Sequence, residues 1–445
     1  MNDDISMSAR SRMLLRTIAM LVATSPTWAQ NPSPRPVIGI GPGARTFPTL
    51  QAAVDSLDAK AGGTIYLQRA VYTLDKPLNL RGRSYVSIVG EGRSTIITAS
   101  FPPGSRWPVI DMTGATRCSL RHLAIRCHTA RCGLLLARRG DRSGAGEHYF
   151  EGMEISGDYS LACEVSIASE VNRYMNCYWI TGDKPRAHCL ILAGEYSPQL
   201  EIDSPYGEIA GGSASDNLFF GCQFNVYGRT GHECNVIVQG PTHDIAFYGG
   251  MWGNKAADPA RPETGGLAGM LLDDRRGKVQ QILLDHIVSE TYGARNFLRG
   301  VGASYGVIVR GCRLDAAEAI INVDRAENYR VTDSVFTAHA EYDWQVQGRR
   351  PVMAFGELLN SEIDDTHALT VRAATNRATT QPEAVRGFDT SVAVGSRCLG
   401  STMRTLRGGD VRLPSKTFGT IVEELNVQAR RRIGEYGVIH EQEKR

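Results

Sequence analysis

The stretch CNVIVQGPTHDIAFYGGMWGN, residues 234–254, holds one unit of the pattern that decides the fold. An apolar strand, CNVIVQ, runs into a turn at Gly240 and Pro241. A second segment, DIAFYGGMW, sets apolar residues around a pair of glycines. The template recurs from about residue 109. Its first strands are PVIDM, CGLLLA, CEVSIA, HCLILAG, CNVIVQ, GMLLDD, NFLRG, EAIINVD and PVMAFG. Anchored on Ile110, Leu134, Val165, Leu190, Val236, Met270, Phe297, Ile320 and Val352, they are spaced by 24, 31, 25, 46, 34, 27, 23 and 32 residues. The partner segments repeat a small or Asn/Asp slot at Gly152, Asn176, Gly221, Gly249, Asp285, Gly311 and Asp333.

Short strands at a period in the middle twenties predict a parallel β-helix. One coil cannot bury its own apolar side, so stacking makes the core. A β-sandwich with irregular strands would not repeat the small slot, which a stacked bend selects. The class is all-β. The 46-residue spacing contains the insertion EYSPQLEIDSPYGEIAGGSASD, residues 195–216, and the 34-residue spacing contains residues 253–266. Both are expected to leave the stack as walls beside one face.

Outward from the repeat, residues 46–63 (TFPTLQAAVDSLDAKAGG) read as a capped helix with Leu50, Ala53, Val54 and Leu57 on one stripe. Residues 1–29 carry Arg10, Arg12 and Arg16 before TIAMLVA and a small-residue end, the three regions of an export signal. That apolar run is too short to span a bilayer, which takes about 20 residues. Residues 30–36 are a proline-rich linker, 37–370 the β-helix, and 371–445 an irregular capping region that leaves room for a trimerisation element and so for a homotrimer. The expected location is secreted or periplasmic.

The chain has 445 residues, 42% hydrophobic, with a formal charge of +2. Its basic runs, such as LLARRGDR, are short and sit beside turns, so no nucleic-acid partner is expected. Ten cysteines permit disulfides in an exported chain without fixing any pairing. No phosphate-binding glycine loop or zinc signature occurs, so no cofactor and no metal are expected.

The opening GARTFPTLQAAVDSLDAKAGGTIYLQRAVYTLDKPLNLRGRSYVSIVGEG resembles the first module of the pectate-lyase-like superfamily, in the form found in phage tailspikes and exported bacterial β-helix proteins. The marks are LQAAVD, GGTIYL, VYTLDKPLNL and YVSIVGEG. With the repeats, the resemblance spans roughly residues 37–370. It implies a single-stranded right-handed parallel β-helix with an N-terminal capping helix, and a polysaccharide as substrate or ligand. The NTD, GHG and RIK motifs of polygalacturonase-type members are missing. The DD pairs at Asp273 and Asp274, and at Asp364 and Asp365, lack their usual neighbours. The reaction stays open.

Chemistry can be placed without a local motif, because equivalent residues of successive coils stack about 4.8 Å apart. Carboxylates one or two coils apart thereby reach the roughly 5–9.5 Å used in glycoside hydrolysis. The first-strand column supplies Asp273, Asp274, Arg299, Asp324 and Arg325 from three successive units. An aspartate would serve as acid, and Arg299 would neutralise a uronate or developing charge. A second group, HIVSETYGAR, holds His286, Glu290, Tyr292 and Arg295, types that suit a lyase base, acid and carboxylate clamp. A third combines Asp183, Lys184, Arg186, His188, Glu195, Tyr196, His232 and Glu233 near the longest insertion. Trp179, Trp252 and Trp344 offer sugar-stacking faces, although core packing explains most such residues. The catalytic candidates are Asp273, Asp274, His286, Arg299 and Asp324. The substrate-binding candidates are Arg295, Tyr292, Glu195, His232 and Arg325. Two readings follow: an exported lyase or glycoside hydrolase acting on an acidic or substituted polysaccharide, or a non-catalytic carbohydrate-binding or envelope-associated β-helix protein.

Overall fold

A computed structural model of the chain describes residues 37–40, 47–141, 144–182, 187–227, 231–254, 266–290, 294–316, 319–338, 353–364, 390–405, 410–424 and 438–441. The export signal, the linker, Tyr292, residues 183–186 and Trp344 lie outside them.

The chain winds as a single-stranded right-handed parallel β-helix. Each coil has three strands rather than the two expected. In the unit quoted above, Cys234–Gln239 lies on face A, Thr242–Tyr248 ends on face B, and Met251–Asn254 lies on face C. The next coil repeats them as Gly266–Asp273, Val279–Asp285 and Val288–Glu290. Pairing is parallel and in register: Val236 with Met270, Phe247 with Leu284, Trp252 with Ser289. The repeated segment taken as one strand is faces B and C joined by a sharp corner.

That corner explains the small slot. Gly152, Asn176, Gly221, Gly249, Gly311 and Asp333 all have φ between 52° and 65°, the left-handed region. In the coil of residues 266–290 the corner is His286 (φ 57°), not Asp285. A second left-handed column precedes face B, at Arg117, Glu147, Val171, Asp216 and Asn328 among others. It was not legible, because its members share no residue type. Their backbone N–H groups bond the next coil, as Glu147 to Glu170 O (2.8 Å) and Val171 to Ser215 O (3.0 Å), which offsets the strain.

The residue after that bend points inward, where an internal polar ladder runs. Cys118 N donates to His148 Nδ1 (3.2 Å), His148 N to Asn172 Oδ1 (3.1 Å), and Asn172 Nδ2 to Asn217 Oδ1 (2.8 Å). Beside it Phe150, Tyr174, Phe219 and Phe247 stack with centroids 4.8, 4.4 and 4.5 Å apart. Trp179 and Trp252 are fully buried in the same core and present no face to a sugar. All ten cysteines are buried, unbridged thiols.

The anchor positions also shift. The inward column on face A is Leu134, Glu164, Leu190, Val236, Met270, Leu298, Ile321 and Met353. Val165, Phe297 and Ile320 each lie one residue from that column, and Val352 lies outside the described residues. For Val165 the slip reverses the face, into the second hydrophobic cluster, whereas Phe297 and Ile320 still belong to the main core.

The helix is shorter than expected, Leu50–Asp55, with Thr49 Oγ1 accepting Ala52 N at 3.0 Å. Asp58 Oδ1 accepts the N–H groups of Lys60 and Ala61 (2.8 and 2.7 Å), forming a turn that ends the helix early. Beyond residue 370, Thr390–Leu399, Thr402–Thr405 and Ile421–Glu424 continue the parallel stack.

Candidate functional site

Face A changes character along its length. Its outward column begins with Asp111, passes through Leu135, Val165, Ile191, Ile237 and Leu271, and returns to polar residues at Arg299 and Asn322. The insertion of residues 195–216 does not stand as a wall. It lies flat across the apolar middle, where Leu200 and Ile202 bury against Leu135, Val165 and Ile191 in a second hydrophobic cluster. Arg131 holds Leu200 O at 2.9 and 2.6 Å, Tyr206 Oη reaches Pro77 O at 2.6 Å, and Ser204 bonds Asp111. Open polar surface on this face thus begins where the strap ends, at Asp273.

Three successive coils meet there. Strand Gly266–Asp273 leads into the turn 274–278, strand Ala294–Tyr305 bulges between Gly300 and Ala303, and strand Ala319–Glu327 lies above. The bulge is the organising feature. Asp274 Oδ2 accepts Ala303 N at 2.6 Å from one side, and Asp324 Oδ2 accepts Gly302 N at 3.0 Å from the other. Adjacent amides are closer than the Cα spacing of about 3.8 Å, so the two bonded oxygens, Asp274 Oδ2 and Asp324 Oδ2, lie no more than roughly 9.5 Å apart. Gly302 has φ +82°, and a Cβ there would sit 1.7 Å from Asp274 Oδ1. Only glycine lets Asp274 come this close.

The two carboxyls differ electrically. Burial, then the charges of Asp273 and Asp324, push the Asp274 carboxyl up against the opposing Ala303 N–H. Asp324 is more exposed and pairs with Arg299 at 2.8 Å. Arg299 also donates to Gly300 O (2.8 Å) and Asn322 O (3.1 Å), so the guanidinium is held between two coils. Asp273 is clamped by Arg275 Nε and Nη2 at 2.7 and 2.6 Å. Burial alone would raise its carboxyl, but those contacts hold it below the usual range. Arg325 turns to Glu327 and Glu357, 3.5 Å from each.

The other candidates are elsewhere. His286 sits on the corner between faces B and C, with Nδ1 2.6 Å from Asp285 Oδ1, and Arg310 holds the same carboxylate at 2.5 Å. It does not join Arg295, whose Nη2 donates to Gly231 O (3.2 Å) at the start of face A. His232 is exposed there, and its N–H meets Glu233 Oε2 at 3.1 Å. His188 is half-buried beside them, pushed down to about 4 by desolvation, with Nδ1 accepting Cys234 N. Glu195 faces a hollow of about 600 Å³ with Arg138, Tyr196 and Glu208, under the far end of the strap. Asn322, Gly302 and Ala303 escaped the sequence reading, because their roles arise from stacking and a bulge.

No family model matches the chain, and no curated protein does. Among solved structures it is similar to ORF18 of Geobacillus virus E2, at 13% identity and TM-score 0.45, covering 76% of this chain and 61% of that one. The chain therefore spans under two thirds of that protein's length. It is similar to a variant tailspike protein of E. coli bacteriophage HK620, solved with a hexasaccharide, at 12% identity and TM-score 0.49, covering 87% and 75%. It is also similar to the A-module of Azotobacter vinelandii mannuronan C-5 epimerase AlgE4, at 14% identity and TM-score 0.38, covering 88% and 94%. By its own stacked coils, the chain is a single-stranded right-handed parallel β-helix protein.

Proposed function

We propose that the chain is an exported enzyme that hydrolyses a polysaccharide on face A, with Asp274 as general acid and Asp324 as general base. The observation that carries this reading is the placement of the two carboxylates on either side of the bulge at Gly302 and Ala303. The upper bound between their bonded oxygens falls within the roughly 5–9.5 Å used by carboxyl pairs in glycoside hydrolysis. Asp274, with its raised carboxyl, delivers a proton to the departing glycosidic oxygen. Asp324, beside Arg299, takes a proton from the attacking water. Arg299 orients the Asp324 carboxylate for that transfer. The lyase reading has less support, since His286 stands at another corner of the coil.

A panel of polysaccharides tests this, assayed for new reducing ends and for ultraviolet absorbance of unsaturated ends. Reducing ends without absorbance are expected. Absorbing products would point to a lyase, and binding without products to a recognition protein.

A further inference from the structure

Five basic side chains lie within a few residues of Asp274 and Asp324 or on the strand between them, and their partners divide them. Arg275, Arg299 and Arg325 are each matched by carboxylates: Asp273, Asp324, and the pair Glu327 and Glu357. Arg276 and Lys278 are not. Arg276 Nη2 donates to the side-chain oxygen of Gln199 at 2.8 Å, and Lys278 Nζ stands 5.4 Å from the centre of the Tyr305 ring. Both are exposed. Among the described residues neither has a carboxylate partner within salt-bridge distance.

Gln199 belongs to the strap over face A, and its oxygen also accepts Ser197 Oγ at 2.5 Å, which fixes the amide with oxygen toward the arginine. A neutral amide holds a guanidinium in place without cancelling its charge, and an aromatic ring does the same for an ammonium. The turn 274–278 therefore carries two oriented positive charges without a direct carboxylate contact within four residues of Asp274, Arg276 acting on the Asp273 carboxylate only from a distance.

We propose that Arg276 and Lys278 form a binding edge for an anionic group on the sugar, a uronate carboxylate or a sulfate ester, which lays the glycan across Asp274 and Asp324. The glycan as ligand rests on the function proposed above; the anionic charge of the ligand does not. Gln199 is the positioning residue for Arg276.

Titration calorimetry tests the edge, with the full chain and with polygalacturonate, polymannuronate, a heparin oligosaccharide and the carboxyl-reduced form of each polyuronate. The wild type should bind at least one anionic polymer about tenfold or more tighter than a neutral counterpart. Arg276→Gln should erase most of that preference, and Gln199→Glu should do so too, by pairing off a guanidinium that is still present. Gln199→Ala, which frees the guanidinium without discharging it, should weaken the preference less than Gln199→Glu does, and binding to reduced polymers should be unchanged throughout. Preference for polyuronate or for heparin identifies the anion. Absence of binding to every anionic polymer, equal affinity for charged and reduced forms, or equal losses on both in the variants would each overturn the proposal. Charge-selective binding without product would leave the edge standing and sink the hydrolase; cleavage without charge preference would do the reverse.

Discussion

The Tyr174 hydroxyl donates to Glu164 Oε1 across 2.5 Å, inside the coil stack, and the Trp179 indole N–H meets Oε2 at 2.9 Å. Neighbouring coils place Leu134 and Leu190 at the same position. Burial pushes this carboxyl up from an ordinary 4.5 to about 7, against the pull of the two donors. The fold prefers the protonated form. The stabilisation from this group is complete below pH 4.5 and is lost as pH rises to about 7, by on the order of 3 kcal/mol. Glu164→Gln should remove that dependence. Denaturant unfolding of both proteins at pH 4.5 and pH 8 should show the gap moving in favour of the variant at pH 8; parallel curves would reject the assignment.

Two histidines work in the opposite direction. His148 is buried and His188 half-buried, and desolvation pushes them down to about 3 and about 4. Each unfolded histidine takes up a proton below pH 6.5 that the folded one refuses. Their stabilisation is present above pH 6.5 and falls on acidification, at about 1.4 kcal/mol per pH unit each. Between pH 6.5 and 4.5 this outweighs the single gain from Glu164, and below 4.5 the loss continues without it. His188→Gln should flatten the acid limb of the unfolding free energy; an unchanged slope would show that His188 titrates normally.

The internal ladder makes a separate stability prediction. Asn172 donates to Asn217 and Ser169 and accepts from His148, all away from water. Asn172→Ala orphans several buried polar groups at once, at a cost of roughly 3 kcal/mol or more. The midpoint of denaturant unfolding should fall while activity per folded molecule is kept.

Gly302→Ala should act on the reaction more than on the fold. Alanine at φ +82° costs about 1 kcal/mol. The new Cβ would displace the Asp274 carboxylate from the bulge. A tenfold or greater fall in kcat with only a small fall in Tm is expected, on the order of the loss from a 1 Å misplacement.

Much of the scaffold was readable in the sequence because a solenoid repeats its apolar demand at each coil. The places where reading failed have physical causes. Glu164 breaks the apolar rule from inside the core, so the apolar pattern selects its outward neighbour Val165 as the anchor and reverses the facing of that strand. The bend at Arg117, Glu147 and Val171 is held by stacked backbone bonds, which leave no residue signature. The site was half legible. That Asp274, Arg299 and Asp324 come together could be read from stacking, whereas the clamp of Arg275 on Asp273 and the bulge at Gly302 needed coordinates. His286 and Arg295 are close in sequence, but one ends face B and the other begins face A of the next coil.

The most direct measurement is reducing-end release by the full chain and its Asp274→Asn and Asp324→Asn variants, on the polysaccharide the wild type cleaves best. Loss of a general acid or base costs about 10²–10⁴ in rate. Each variant should lose at least about a hundredfold with its Tm little changed. Wild-type rates in either variant, or no release by the wild type on any substrate, would contradict the carboxylate pair as the catalytic centre.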